Sequence, residues 1–187
     1  ESKAMSQAKA MSTSTARKVW DFHGGIHPPE NKLQSLQVPI RQAGIPPELI
    51  IPLSQHLGAP AEPIVTVGQR VLKGEKIANA NGFISVPKHA PTSATVTAIE
   101  NRPIAHSSGL PAPCIVLTPD HRDEWISHAG VADFQSLAKT DLIALIREAG
   151  IAGMGGAGFP AAVKLNVSPE TPIQTLIINA TECEPYI

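Results

Sequence analysis

The sequence is poor in the residues from which most catalytic and metal sites are built. It has 2 cysteines among 187 residues. Cys114 and Cys183 lie too far apart for a CxxC metal pair and are too few for a disulfide framework. A reducing compartment is the default that follows. Cys183 is flanked by Glu182 and Glu184, which disfavour its thiolate, so it is a poor nucleophile. Cys114 falls in an apolar run and is expected to be a small buried hydrophobe. Aromatic residues make up 4% of the chain, so the core must come from Ile, Leu, Val and Ala. The formal net charge is -1, which gives no electrostatic footprint for nucleic acid and no polybasic patch for a lipid surface. No stretch reaches the roughly 18–20 apolar residues of a bilayer span. The N-terminus also lacks the basic start and apolar run of a cleavable signal. A direct membrane span is therefore not expected, and a membrane role would pass through a partner protein. The 7 histidines form no HExxH and no close cluster with acids. No metal site is expected from them, only loop and capping hydrogen bonds. No Ser-His-Asp arrangement can be argued from spacing.

Proline and glycine are plentiful, 18 and 14 residues, which favours short elements and many turns over a long helical bundle. Residues 1–16 are small and polar, and read as a disordered tail or an expression remnant. Next comes Gly24-Gly25-Ile26-His27-Pro28-Pro29-Glu30-Asn31-Lys32, too rich in Gly and Pro for regular structure. It could be a fixed loop or a flexible one. Between Pro46 and Pro119 short apolar runs alternate with turn signals. They include Ile50–Leu53, Pro63–Val65, Val67–Val71 with a tight turn at Gly68, and Lys73–Ala78. Ile84–Pro87 and Ala94–Ile99 show strand-like alternation, and Cys114–Thr118 closes the series. Many short strands at close spacing predict a small β-sandwich or barrel. Asp120–Glu124 reads as an exposed charged connector.

After Trp125 the texture turns helical. Thr140 can cap a helix whose apolar face holds Leu142, Ile143, Leu145, Ile146 and Ala149, with Gly150 as a left-handed stop. A second helix is expected from Pro160 through Leu165. Thr175–Asn179 reads as a buried strand, apolar on both faces. Helix followed by buried strand is α/β grammar, but one strand makes no sheet. The α/β domain is therefore expected to be incomplete, by truncation or completion with another chain, and truncation is favoured.

Residues 150–158 hold five glycines in nine positions and then open a helix. Such a loop lets backbone N–H groups approach an anion, and the helix N-terminus adds partial positive charge. The competing reading is a flexible connector. A dinucleotide fingerprint needs a strand before the glycines, and a helix stands there instead. No Walker lysine follows. Lys164 could reach a phosphate or a flavin edge, or be an ordinary surface lysine. Asn179-Ala180-Thr181-Glu182-Cys183-Glu184-Pro185 lies at the carboxyl end of the expected strand, where open α/β sheets collect ligand groups. Otherwise it is a polar loop.

The run Gly153–Pro160 with Lys164, followed by Asn179–Pro185, resembles the flavin signature of the NADH-oxidising subunit of respiratory complex I. The Glu-Cys-Glu-Pro-Tyr form, the Gly24–Lys32 motif and Pro52–Pro63 resemble the RnfC/RsxC family of the Rnf electron-transport complexes. Ala161 and Ala162 depart from the threonine and glycine common in the complex I relatives. The resemblance implies an α+β chain in two parts: a β-rich barrel-sandwich hybrid over residues 17–125, lipoyl/biotinyl-like, and the start of an α/β FMN-binding domain over 126–187. It implies FMN held by Gly153, Gly155, Gly156, Ala157, Gly158, Phe159, Lys164, Asn179, Thr181 and Glu182. Glu182 and Glu184 would face flavin and nicotinamide, and NADH would be the hydride donor. It implies two 4Fe-4S clusters whose cysteine ligands are not in this chain, and other Rnf-type subunits as partners. It also implies a peripheral position on the cytoplasmic face of the bacterial inner membrane. The function implied is electron transfer between NADH and ferredoxin-type carriers coupled to ion translocation. The alternative is a non-catalytic docking or carrier module. Its expected hairpin tip, Ala78–Gly82, carries no lysine for a covalent cofactor, and Lys73, Lys76 and Lys88 lie outside it.

Overall fold

A computed structural model describes residues 23–154, 157–168, 170–180 and 184–186. They fall into two compact units, residues 23–38 with 184–186, and residues 39–180. In the first, Gly24 at φ 78° and Asn31 at φ 53° turn the chain into the short helix α1 (Lys32–Ser35). The Tyr186 amide donates to the Glu30 carbonyl at 2.8 Å.

The second unit is built on two antiparallel sheets. Strands β1 (Leu49–Pro52), β3 (Arg70–Val71), β6 (Ala94–Pro103) and β7 (Pro111–Pro119) form one, in the order β1-β7-β6-β3. Strands β2 (Glu62–Pro63), β4 (Lys76–Asn79) and β5 (Lys88–His89) form the other, in the order β2-β4-β5. The β6–β7 hairpin is the backbone of the fold, with a bulge between Val96 and Ala98 that bends the ladder. Gly68 supplies the turn before β3 at φ 89°.

Between the sheets lie Leu53, Val65, Val71, Ile77, Val96, Ile115 and Leu117 with Ala61, Ala78, Ala90 and Ala94, and Leu49 and Ile51 pack at the edge. Aliphatic and small side chains fill this core, as the scarcity of aromatics requires. Each large one contributes about 1.5–3 kcal/mol by leaving water. Cys114 is fully buried on β7 and its thiol donates to the Ala112 carbonyl at 3.2 Å. Burial pushes its pKa up, which makes it the inert hydrophobe expected.

Several expectations are corrected. Ile84–Pro87 is not a strand; it belongs to the irregular connection between β4 and β5. Ser85 is buried there and donates to the Ala59 carbonyl at 3.0 Å, so its alternation reflects loop packing and not a pleat. Asp120–Glu124 is no loose connector. Asp120 accepts from Ser93 Oγ at 2.6 Å and from Arg70 at 2.9 Å. Asp123 accepts from Lys73 Nζ at 2.6 Å and from Thr92 Oγ1 at 2.8 Å. Lys73 also lies 4.8 Å from the Trp125 ring centroid. The stretch is a polar strap that ties the end of β7 across the mouths of the β3–β4 and β5–β6 turns.

Beyond the strap, a 3-10 turn (Phe134–Ser136) precedes α2 (Lys139–Glu148), and Gly150 at φ 71° ends it as expected. The N-cap is Ala138, not Thr140, and makes no side-chain capping bond. Helix α3 (Ala161–Leu165) follows with Pro160 as its N-cap. Thr175–Asn179 is also not the strand expected: it is irregular and exposed, with Ile177 at 85%. No described strand pairs with it, and an apolar segment becomes a buried strand only when neighbours satisfy its amides and cover its faces. Among the described residues no helix is long and apolar enough to cross a membrane.

Candidate functional site

The described ends of the glycine segment, residues 150–154 and 157–160, are bonded to one another. At its base Ala152 bridges Pro160, Gly153 N–H donates to Phe159 O at 3.0 Å, and Ala161 N–H donates to Ile151 O at 3.0 Å. Phe159 N–H donates to Ala157 O at 2.9 Å, which tightens the turn. A side chain is shut out at Gly153 and tightly crowded at Gly158. A Cβ on Gly153 would stand 2.3 Å from the Ala157 carbonyl oxygen, and one on Gly158 would stand 3.0 Å from the Gln55 carbonyl oxygen.

The loop is also anchored. Gly158 O accepts from Leu57 N–H at 2.7 Å. The anchoring residues are held in turn by His56, which is buried. His56 Nε2 accepts from the Val86 amide at 3.3 Å, and Nδ1 faces the Leu57 carbonyl at 3.0 Å, so the proton belongs on Nδ1. This histidine is structural, as the loop-hydrogen-bond expectation holds. Gly150 fits equally closely on the other side, where a Cβ would meet Pro87 O at 2.9 Å and His89 Nδ1 at 3.1 Å. The Lys76–Glu148 pair at 2.7 Å fastens β4 to α2.

The glycine loop thereby forms one wall of a cleft of 760 Å³, within the usual size of small-molecule sites. Gln55, Lys88 and His89 also line it. Burial, then the nearby Lys76 charge, lowers the His89 pKa and favours its neutral form, although Glu148 pulls the other way.

The expected site residues are distributed unequally. Gly153, Ala157, Gly158 and Phe159 come together in the loop, and Lys164 Nζ lies 5.8 Å from the Phe159 ring centroid. Lys164 therefore turns back toward the loop despite being exposed. Asn179 is exposed on the irregular segment. Gly155, Gly156, Thr181 and Glu182 lie outside the described residues, as does Cys183, and Glu184 belongs to the other compact unit. With only five residues, α3 is too short to lend the loop much of a helix dipole, so that part of the expectation is corrected. Sequence reasoning missed Gln55, Lys88 and His89. The one available signal was a lysine set among apolar residues in Val86-Pro87-Lys88-His89-Ala90.

Closely packed glycines, a roomy cleft and polar groups lining it are a donor set suited to an anionic end of a nucleotide, and FMN fits that description. Comparison with known proteins agrees. The family model described as the RnfC barrel sandwich hybrid domain matches residues 20–122, and that described as the Nuo51 FMN-binding domain matches residues 146–187. Among similar proteins, one from Vibrio cholerae is 54% identical over 91% of this chain and 22% of its own length. One from Serratia proteamaculans is 52% identical over 91% of this chain and 24% of its own. One from Yersinia enterocolitica is 53% identical over 92% of this chain and 25% of its own. All three are named as a subunit of an ion-translocating oxidoreductase complex, the same one in each organism. The chain spans about a quarter of the length of these curated relatives or less. With more than half of its residues matching the first of the two family models, the chain belongs to the RnfC family, carrying its barrel-sandwich hybrid and the start of an FMN-binding domain.

Proposed function

We propose that this chain is part of a subunit that passes electrons from or to NADH within a membrane-bound, ion-translocating oxidoreductase complex. The observation that carries the reading is the glycine segment, bonded end to end at its base, pinned to the barrel through Gly158 and lining a cleft of nucleotide size. FMN, when bound, supplies the step between two-electron hydride chemistry and one-electron transfer. The backbone hydrogen bonds at the two ends of the segment would hold the stretch that receives the nucleotide. Phe159 and Lys164 flank that backbone. Gly155, Gly156, Asn179, Thr181, Glu182 and Glu184 complete the proposed set, with the two glutamates toward flavin and nicotinamide. This part of the proposal rests on the match over residues 146–187. Two 4Fe-4S clusters would be held elsewhere in the complete subunit. The partners would be the complex's other subunits, and the position peripheral, on the cytoplasmic face of the bacterial inner membrane. Residues 17–125 and 126–187 are proposed as separate domains, with 1–16 as a tail.

The test is flavin uptake by the full-length protein that includes this segment, read as quenching of FMN fluorescence and bleaching at 450 nm, roughly the usual flavin band, on adding NADH. Tight FMN binding and bleaching are expected; a folded full-length protein that takes up no flavin overturns the reading. The carrier alternative is disfavoured because the β4–β5 connection, residues 80–87, contains no lysine.

A further inference from the structure

Lys88 is the residue that neither the fold nor the glycine loop accounts for. It opens β5 opposite Ala78, is only 7% exposed, and lines the cleft. Among the described residues nothing accepts a hydrogen bond from it and no carboxylate pairs with it. Yet no fully enclosed side-chain nitrogen or oxygen among those residues lacks a partner, so the Lys88 ammonium must reach open space. The open space that it lines is the cleft. A lysine buried without a partner costs stability, and burial alone pulls its pKa down to about 8. The described residues that line the cleft include no carboxylate and no second lysine or arginine. Gly150, Gly153 and Gly158 line the same cleft, together with His89 and Gln55. A lysine without a carboxylate partner, in a recess lined also by glycine backbone, is arranged for an anion and not for a metal ion.

We propose that this cleft binds a phosphoryl group and that Lys88, contributed by the barrel, is its cationic partner. The barrel is then part of the ligand site and not merely a neighbour of the flavin-type segment. The phosphoryl chemistry stands on the cleft itself, and only the identification of its bearer as FMN rests on the function proposed above. Occupation by an anion would offset the burial of Lys88 and raise its pKa back toward the ordinary lysine range, a change confined to this side chain.

The test uses the 187-residue chain with lysines labelled for NMR, together with calorimetric titration. The probes are inorganic phosphate, FMN, and riboflavin, which differs from FMN by the phosphate. In wild type the Lys88 side-chain resonance is expected to titrate near pH 8 alone and to shift at least one unit upward at saturating phosphate. Lys88→Met is expected to weaken phosphate and FMN at least tenfold, leave riboflavin unchanged and raise the melting temperature, while Lys88→Arg keeps most of the affinity. An identical Lys88 titration with and without phosphate overturns the proposal, even if the methionine variant does not fold. Equal phosphate affinity in a folded Lys88→Met variant also overturns it, as does the absence of phosphate binding to wild type. FMN binding that ignores Lys88 sinks this inference and leaves the flavin reading standing. Phosphate binding through Lys88 without any flavin uptake by the full-length protein does the reverse.

Discussion

Two stretches of nearly equal apolar content meet opposite fates in this chain. Cys114-Ile115-Val116-Leu117 is wholly buried on β7, bonded on one side to β1 and on the other to β6. Leu176-Ile177-Ile178 is irregular, and each residue is at least 79% exposed. Local preference does not separate them, since both are rich in β-branched residues. The difference is company. β7 has a strand on each side and a second sheet across the core, whereas residues 175–179 have no described strand beside them. A buried strand is a property of the set of strands and not of the segment.

That contrast can be broken or sharpened by measurement. Ile77→Ala should have the largest effect, a loss of about 2–5 kcal/mol in urea unfolding, because it opens a cavity in the core. Ile177→Ala should stay within about 0.5 kcal/mol, and a loss comparable to that of Ile77 would mean residue 177 is covered after all. Next comes Gly153→Ala, expected to cost about 1–3 kcal/mol within the loop by forcing the carbonyl of Ala157 aside. Hydrogen exchange at the Gly153 and Phe159 amides should accelerate while the β6–β7 amides keep their protection.

The strap gives the third test. Asp120 is held well below the usual carboxylate range by Ser93 Oγ–H, the Arg122 amide and Arg70. Asp123 is lowered by Lys73 and Thr92. Because both folded-state values lie below the unfolded value of about 3.9, their contribution is complete above roughly pH 5 and is lost as the pH falls below that. Asp120→Asn should therefore lower stability at pH 7 and flatten the acid limb of a stability-against-pH curve. An unchanged acid limb would show that the strap contributes nothing. Among the variants that remove a contact, the smallest effect is expected of Glu148→Gln at the exposed Lys76 pair, a loss of no more than about 1 kcal/mol, weaker still in high salt.

Much of the architecture could be read from the chain before any coordinates. Runs at Ile50, Ala94 and Cys114 became β1, β6 and β7, and the apolar spacing from Leu142 to Ala149 became α2 with its stop at Gly150. The glycine-rich segment announced a loop before a helix, and the short helix α3 follows it. Three things were misread for one reason. Ile84–Pro87 alternates because a loop packs Ser85 inward, residues 120–124 are charged because partners fifty or so positions away in some cases and thirty in others wait for them, and Thr175–Asn179 is apolar without a sheet to join.

By itself the sequence determined what was local: where glycine and proline forbid regular structure, where the apolar period is that of a helix, and which aliphatic residues must find a core. Only the tertiary structure decided what depends on distant neighbours. It brought Gln55, Lys88 and His89 to line one cleft with glycines sixty to a hundred residues on, and it left a lysine buried with no partner but the cleft. Burial and pairing are properties of the space around a side chain, and that space is set by chain crossings that no window of sequence contains.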